Sequence, residues 1–421
     1  MPGSRLKFDS LPHAIFLQRV TAQLPATSLE ARLGQGAFLA LRLVDLLAPD
    51  REPVSPDAFH YQWIATDRFC SELRAAATEG AHVHGIAASA ADAHRLSDPR
   101  LLAPALLAYA HYLEDAMRFD EALDVLWTLV QVGDARLASP DAVAVRLRMA
   151  RVSRKQNRFD EAEAAYVAAG ELAATAGDRY SELLSRIGRA NTLLGRGNLA
   201  EAERCLRAIL ADARTAGQQD AEARAEHGIG VALHHMGQPA DAIPHVWRGF
   251  ERYEDDDSRQ RALGDLGIML LMLGDAAGSE HALSEVVRRG GTNETLSNAL
   301  IELMHCASFR RDRVGFARWR ERCEARVAEM PPNIRADCYL KQGIGQARFG
   351  QFKKAEALME RALEIASAGG LHEFEFLIER IKSGLHECEQ AIQTESRALA
   401  EPVFQTEELR EVSASLAQLV G

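Results

Sequence analysis

Between Val143 and Arg158 stand six basic residues, Arg146, Arg148, Arg151, Arg154, Lys155 and Arg158, with no acidic one. The whole chain carries a formal net charge of −11, so this stretch is a local reversal of sign. Arg148, Arg151 and Lys155 recur at helical spacing and project together from one face. Like charges so placed repel by roughly 0.2–0.5 kcal/mol per pair, and something compensates them, either acids of a neighbouring element or an anionic ligand. Asp141 and Glu171 are the candidate acids. A guanidinium fork matches the two oxygens of a carboxylate, so the chemistry on offer is recognition of acidic groups. The alternative is a solvated charged face.

Other residue pairs that could do chemistry lack a third partner. His82-Val-His84 and His234-His235 have no Cys or carboxylate at helical spacing to complete a metal site. Gly228-Ile-Gly230 and Gly343-Ile-Gly345 resemble pieces of a phosphate loop, but no strand precedes either one. The run Glu254-Asp-Asp-Asp257 lacks the alternation and glycine of a calcium loop and reads as a solvated linker. The six cysteines, Cys70, Cys205, Cys306, Cys323, Cys338 and Cys388, form no CxxC pair and behave as small hydrophobes. No Ser within a Gly-x-Ser-x-Gly, and no Cys beside a plausible His base, suggests a nucleophile. The expectation is a protein that is not an enzyme, with no metal and no cofactor.

The elements that must position these residues are helices. Alanine, leucine, glutamate and arginine dominate the composition, and aromatics make up only 6%, a mix that favours helix over sheet. At 421 residues the chain exceeds what one core can serve, which implies several domains or a repeat array. Its acidity removes the global basic field that holds nucleic acid. Phe16 and Leu17 run straight into Gln18 and Arg19, so no signal peptide is expected, nor is any membrane span. With lone cysteines, this places the chain in a reducing cytoplasm.

A repeat decides the architecture. Arg118-Phe-Asp-Glu-Ala122, Arg158-Phe-Asp-Glu-Ala162, Gly197-Asn-Leu-Ala-Glu-Ala202 and Gly237-Gln-Pro-Ala-Asp-Ala242 place an alanine every 40 residues, and Ala355 repeats the pattern. Twelve residues before each alanine stands another small residue: Ala110, Ala150, Ala190, Gly230 and Gly343. Two antiparallel helices joined by a short turn approach closely only where both carry small side chains. Gly267 with Ser279, and Met304 with Phe316, hold the same positions in two degenerate units. The bulk of the second should open that helix pair or bend the stack. Residues 57–96 read as a further pair, with Gly85 or Ala88 at its close contact.

This pattern resembles the tetratricopeptide repeat family, in a long-period bacterial variant: the period here is 40, against about 34 for the family. The small residue, alanine and large residue of the consensus fall on Ala150, Ala162 and Tyr166, and again on Gly343, Ala355 and Met359. The early Trp and most late Pro residues of the consensus are missing. The resemblance implies an all-α superhelix of seven to eight helix pairs over residues 57–388. A cap and Pro-rich loop occupy 1–56, with a helix from Leu29 to Leu47. A capping helix and a short amphipathic helix follow in 389–421. The first of these should be the tail of a long helix, Leu371 to Leu399, broken by Pro402. The second spans Thr406 to Val420 and either folds back or pairs with a second copy as a homodimer.

The resemblance also implies a concave groove lined by first helices that binds a protein or peptide. Its positions fall on Arg148, Arg151, Arg154, Lys155, Asn191, Arg224, His227, His234, Arg261, Met272 and Phe309, with Glu114, His305, Lys341 and Arg348 beside them. Ile268, Leu271, Met272 and Phe309 read as packing against the next helix rather than as an open apolar wall. The expected function is a binding scaffold or adaptor with a preference for acidic groups. The alternative is a bacterial sensor or transcriptional regulator working through a separate output protein. Reversing Arg148 and Arg151 to glutamate should then abolish partner capture without altering helicity.

Overall fold

The computed structural model describes residues 11–22, 27–49, 54–133, 136–392 and 406–419. Among them lie twenty α-helices and no strand. They divide into two compact units, Met1–Arg196 and Gly197–Gly421.

The first unit holds α1 (Ala14–Ala22), α2 (Leu29–Asp45), α3 (Pro56–Arg74), α4 (Thr78–Leu96), α5 (Ala103–Asp115), α6 (Phe119–Gly133), α7 (Ser139–Lys155), α8 (Phe159–Ala176) and α9 (Arg179–Gly195). The starts of α2 and α3 are written locally. Ser28 and Ser55 accept hydrogen bonds from the amides of Ala31 and Ala58, and Pro56 opens α3. Helices α3 with α4, α5 with α6 and α7 with α8 form antiparallel pairs. Ala110, Ala122, Ala150 and Ala162 are fully buried where the last two pairs cross, as their size requires. In the α3–α4 pair Gly85 has nothing within 4 Å, and Ala88 is exposed. The tight approach is at Gly80 instead, where a β-carbon would lie 2.1 Å from the Leu73 carbonyl oxygen.

Helix α1 was not legible as an element, and its anchors explain its place. Phe16 is fully buried. His13, just ahead of α1, joins Asp124 of α6 at 2.5 Å through Nδ1 and Asp45 of α2 at 3.2 Å through Nε2. Burial alone would lower the imidazole pKa, but the hydrogen bonds and charges of Asp124 and Asp45 outweigh it and raise it from 6.5 to about 9. A raised folded-state value means stabilisation that is complete below the unfolded value and lost as pH climbs through the folded one. That shift corresponds to roughly 3 kcal/mol. The stability gap between wild type and His13→Gln, from urea midpoints, should therefore narrow by about that amount between pH 6 and pH 10. A gap that stays constant with pH would show that the clasp is not ionic.

The second unit holds α10 (Leu199–Thr215), α11 (Gln219–His235), α12 (Pro239–Arg252), α13 (Asp256–Met272), α14 (Ala276–Arg289), α15 (Asn293–Phe309), α16 (Arg313–Glu324), α17 (Pro332–Arg348), α18 (Phe352–Ala368), α19 (His372–Ile392) and α20 (Glu407–Leu419). Four antiparallel pairs run from α11 to α18, and α19 covers α18. The small positions again set the approach. A β-carbon on Gly230 would stand 2.4 Å from Val246 Cγ2, and one on Gly343 3.0 Å from Met359 Cγ. The degenerate pair does not have to splay. Phe316 is 3% exposed, with its ring laid on Gly345 of the next first helix, where a β-carbon would be 2.2 Å away. Glycine on α17 thus makes the room that α16 takes up.

The turns inside these pairs need a residue with positive φ. Gly237, Gly274 and Gly350 supply it, while Met117, Asn157 and Arg311 adopt φ of 58–60° despite a side chain. The C-terminal helix folds back: α20 lies on α12 and α14 and buries Leu409, Val412 and Leu416. Ser413 Oγ donates to Asp275 Oδ2 at 2.8 Å, while Asp275 Oδ1 accepts from the Gly278 amide and caps α14. The apolar seam offered to a second copy is therefore spent within the chain. Helix α19 follows the expected long helix as far as Ile392, and both 393–399 and Pro402 lie outside the described residues.

Candidate functional site

In the first unit the basic stretch of α7 faces α5. Arg148 Nη1 and Arg151 Nε each lie 2.7 Å from Glu114, and Lys155 Nζ lies at 3.0 Å. The Glu114 side chain is 4% exposed. Burial would raise its pKa, but Arg151, Lys155 and Arg148 together bring it down to about 2. The compensating acid is thus Glu114, one helix pair back, and not Asp141 or Glu171. Lys155 also stands over the Phe119 ring at 5.5 Å. Arg158 turns to Asp120 at 2.8 Å.

Three of the four cations expected at the groove are brought together in this way. Arg154 is the fourth, and its Nε is buried with no hydrogen-bond partner among the described residues. Asn191 on α9 is half-buried. The arrangement changes the meaning of a double reversal at Arg148 and Arg151. Two new carboxylates would press on a buried third, so that variant would disturb folding and not only the surface.

The first helices of the second unit carry a row of paired polar groups. Arg224 on α11 holds Asp220 at 2.6 Å and Asp255 at 3.5 Å, and stands over Tyr253. His227 is 5% exposed. It engages Asp265 of α13 at 2.7 Å through Nε2 and the Tyr253 hydroxyl at 3.1 Å through Nδ1. Lys341 of α17 bridges Glu302 of α15 and its own helix's Asp337. Burial raises the Glu302 pKa despite Lys341. His234 Nδ1 is buried with no hydrogen-bond partner among the described residues, and burial followed by His235 lowers its pKa. Arg261 donates to Ser258 Oγ at 3.1 Å.

The apolar candidates divide. Leu271 is buried and Ile268 and Phe309 are half-buried, whereas Met272 is 57% exposed. Phe309 serves as a platform for Arg348 at 5.5 Å. Both glycine pairs have steric partners: Gly228 lies against Leu206 and Gly230 against Val246, as Gly343 lies against Met359 and Gly345 against Phe316. Among the described residues no cluster of three or more His, Cys, Asp or Glu is placed to hold a metal ion. No described helix is long and apolar enough to cross a membrane.

Sequence reasoning missed Tyr253, whose hydroxyl fixes the His227 ring. It missed the first unit's carboxylate centre as well. There Glu79 receives Arg19, Arg118 and Tyr109 at 2.8–3.0 Å. Glu79 and Tyr109 lie 30 residues apart on α4 and α5, so no local spacing in the sequence marks that centre.

No protein-family model matches this chain, and no curated protein matches it. Solved structures with stacked helix pairs do. A Rap protein complexed with competence and sporulation factor is 12% identical, with a TM-score of 0.41 over 86% of this chain and 98% of that one. The apo form of the quorum sensor NprR from B. thuringiensis is 13% identical, with a TM-score of 0.49 over 91% and 98%. A tetratricopeptide repeat protein from Parabacteroides merdae is 14% identical, with a TM-score of 0.39 over 66% and 98%. Values this low assign no function.

Proposed function

We propose that this chain is a non-enzymatic binding protein that holds a polypeptide along its first helices, with Arg148 and Arg151 as contacts for acidic groups. One observation carries the reading: three cations of α7 converge on the single buried carboxylate of Glu114. That carboxylate holds their stems in place, while the Arg148 and Arg151 side chains stay 26% and 40% exposed. Arg151 engages Glu114 through Nε, and its fork has further donors to offer. Fixed donors bind more tightly than mobile ones because less freedom is lost on association. On this reading residues 57–388 form the binding array, flanked by caps at 1–56 and 389–421. Its compartment is the cytoplasm, where buried thiols such as Cys70 and Cys306 stay reduced.

The test is Arg151→Gln, which leaves Arg148 and Lys155 on Glu114 and so spares the fold. Crosslinking and mass spectrometry from the source lysate should recover the partner with wild type and about tenfold less with the variant, the scale of one lost charge-assisted contact. Undiminished recovery by a variant of unchanged melting temperature would remove α7 from the binding surface.

A further inference from the structure

Helix α16 turns Gly315, Phe316 and Cys323 inward and leaves Val314, Ala317, Arg318 and Arg322 exposed. Val314, Arg318 and Arg322 follow one another at four-residue intervals and so stand in one row along the outer face. The helix carries four arginines against two glutamates, whereas in the second helices α4, α6, α8, α12, α14 and α18 acids equal or outnumber arginine and lysine. An excess of positive charge therefore sets α16 apart from them.

Arg318 and Arg322 both stand over the Trp319 ring, at 4.8 and 5.1 Å. Like charges one turn apart repel. Elsewhere the chain answers such crowding with its own acids: Arg148, Arg151 and Lys155 share Glu114, and Arg288 and Arg289 share Glu285. On α16 Arg320 takes Glu324 at 3.4 Å. Arg318 and Arg322 make no hydrogen bond or ion pair among the described residues, although Glu321 stands between them in sequence. The ring offsets part of their charge and gathers both groups at one spot, but it leaves their forked donors unused. Val314, 80% exposed, extends the row with an apolar side chain left in solvent.

We propose that the outer face of α16, through Val314, Arg318, Trp319 and Arg322, docks an acidic segment of a partner protein that carries an apolar side chain beside its carboxylates. The charge selects an anion, and the guanidinium forks suit carboxylates. Arginine, tryptophan and an uncovered apolar side chain together are the composition of a protein interface. A nucleic acid fits less well. Helix α16 has 12 residues and is about 18 Å long, and Glu321, Glu324 and Glu329 are exposed on it and just beyond it, in a chain of net charge −11. The face belongs to a second helix, so it is separate from the first-helix surface proposed above and does not depend on it.

The experiment titrates the full chain into a fluorescein-labelled glutamate peptide with one central leucine, read by fluorescence anisotropy. Wild type should bind it, and more weakly as salt is raised. The double variant Arg318→Gln with Arg322→Gln removes two exposed charges. It should keep the helical circular-dichroism spectrum and bind the peptide at least about tenfold more weakly. Val314→Ser should weaken that peptide several-fold and leave unchanged the binding of a peptide with glutamine in place of the leucine; an equal loss for both would remove Val314 from the surface. Tighter binding of an oligodeoxythymidine of equal charge would overturn the protein assignment. Equal peptide binding by wild type and the double variant, or none by wild type, would overturn the site. Polypeptide capture through α7 should be unchanged in the α16 variants, so the two surfaces fail separately.

Discussion

Replacing Glu79 by alanine is expected to destabilise the first unit by about 3–5 kcal/mol, the cost of breaking a buried ion pair from one side. Glu79 lies near the start of α4 with its side chain 3% exposed. Arg19 of α1 reaches it with both terminal nitrogens, at 2.8–3.0 Å. Arg118, ahead of α6, joins at 2.9 Å, and the fully buried Tyr109 of α5 donates its hydroxyl at 2.8 Å. Burial would push the carboxyl pKa up, but Arg118 and Arg19 hold it below the ordinary range, so the group is ionised at neutral pH.

Removing it leaves unequal orphans. Arg118 keeps Glu121, whereas Arg19, 13% exposed, loses its one close carboxylate among the described residues, and Tyr109 loses its only acceptor among them. Glu79→Gln should cost less because the amide oxygen still accepts from Arg19 and Tyr109. A depressed carboxylate contributes stability above its unfolded pKa and loses it as pH falls through the folded value. The excess stability of wild type over Glu79→Gln should therefore shrink on acidification below pH 4. Hydrogen exchange of α1, α4 and α5 reports the effect locally. Protection in those helices that matches wild type in Glu79→Ala would mean that the cluster is ornamental.

The contrast between this cluster and the repeat shows what the sequence could and could not reveal. Ala122, Ala162 and Ala242 were readable because a helix crossing imposes a size limit at a fixed interval, and size is visible in the residue name. Helix α2 was readable from its apolar spacing, and α20 from Leu409, Val412 and Leu416. Glu79, Arg19 and His13 looked like ordinary surface charge. Their partners lie 30 to 111 positions away, and only the packed chain brings them together.

Glu114 is an intermediate case. It falls on a groove position of the repeat, but the acids nearest in sequence to α7 drew the pairing instead. A stack of helix pairs sets each first helix against the previous one, so the counter-charge for α7 had to be sought about one period upstream. Glu114 and Arg148 are 34 residues apart, and Glu302 and Lys341 are 39 apart. That interval is the repeat itself, seen in charge instead of size.

The same logic makes two neighbouring glycines behave oppositely. In Gly80→Ala the new methyl would lie 2.1 Å from the Leu73 oxygen, 2.4 Å from its carbonyl carbon and 3.0 Å from the Arg74 nitrogen. All three are backbone atoms, so no rotamer relieves the clash, and α4 must move away from α3. Such overpacking costs about 2–3 kcal/mol. The shift would also displace Glu79, the adjacent residue, from Arg19 and add part of the loss argued above. Gly85→Ala meets nothing within 4 Å. It replaces a flexible residue inside a helix and should gain about 0.5–1 kcal/mol. The two variants should then differ by roughly 3 kcal/mol, or about 6–12 °C in the melting of a unit this size. Their chemistry is identical and they lie five residues apart, so neither propensity nor composition can produce the gap. If both melt together, the close approach of α3 to α4 at Gly80 is wrong, and the placement of Glu79 falls with it.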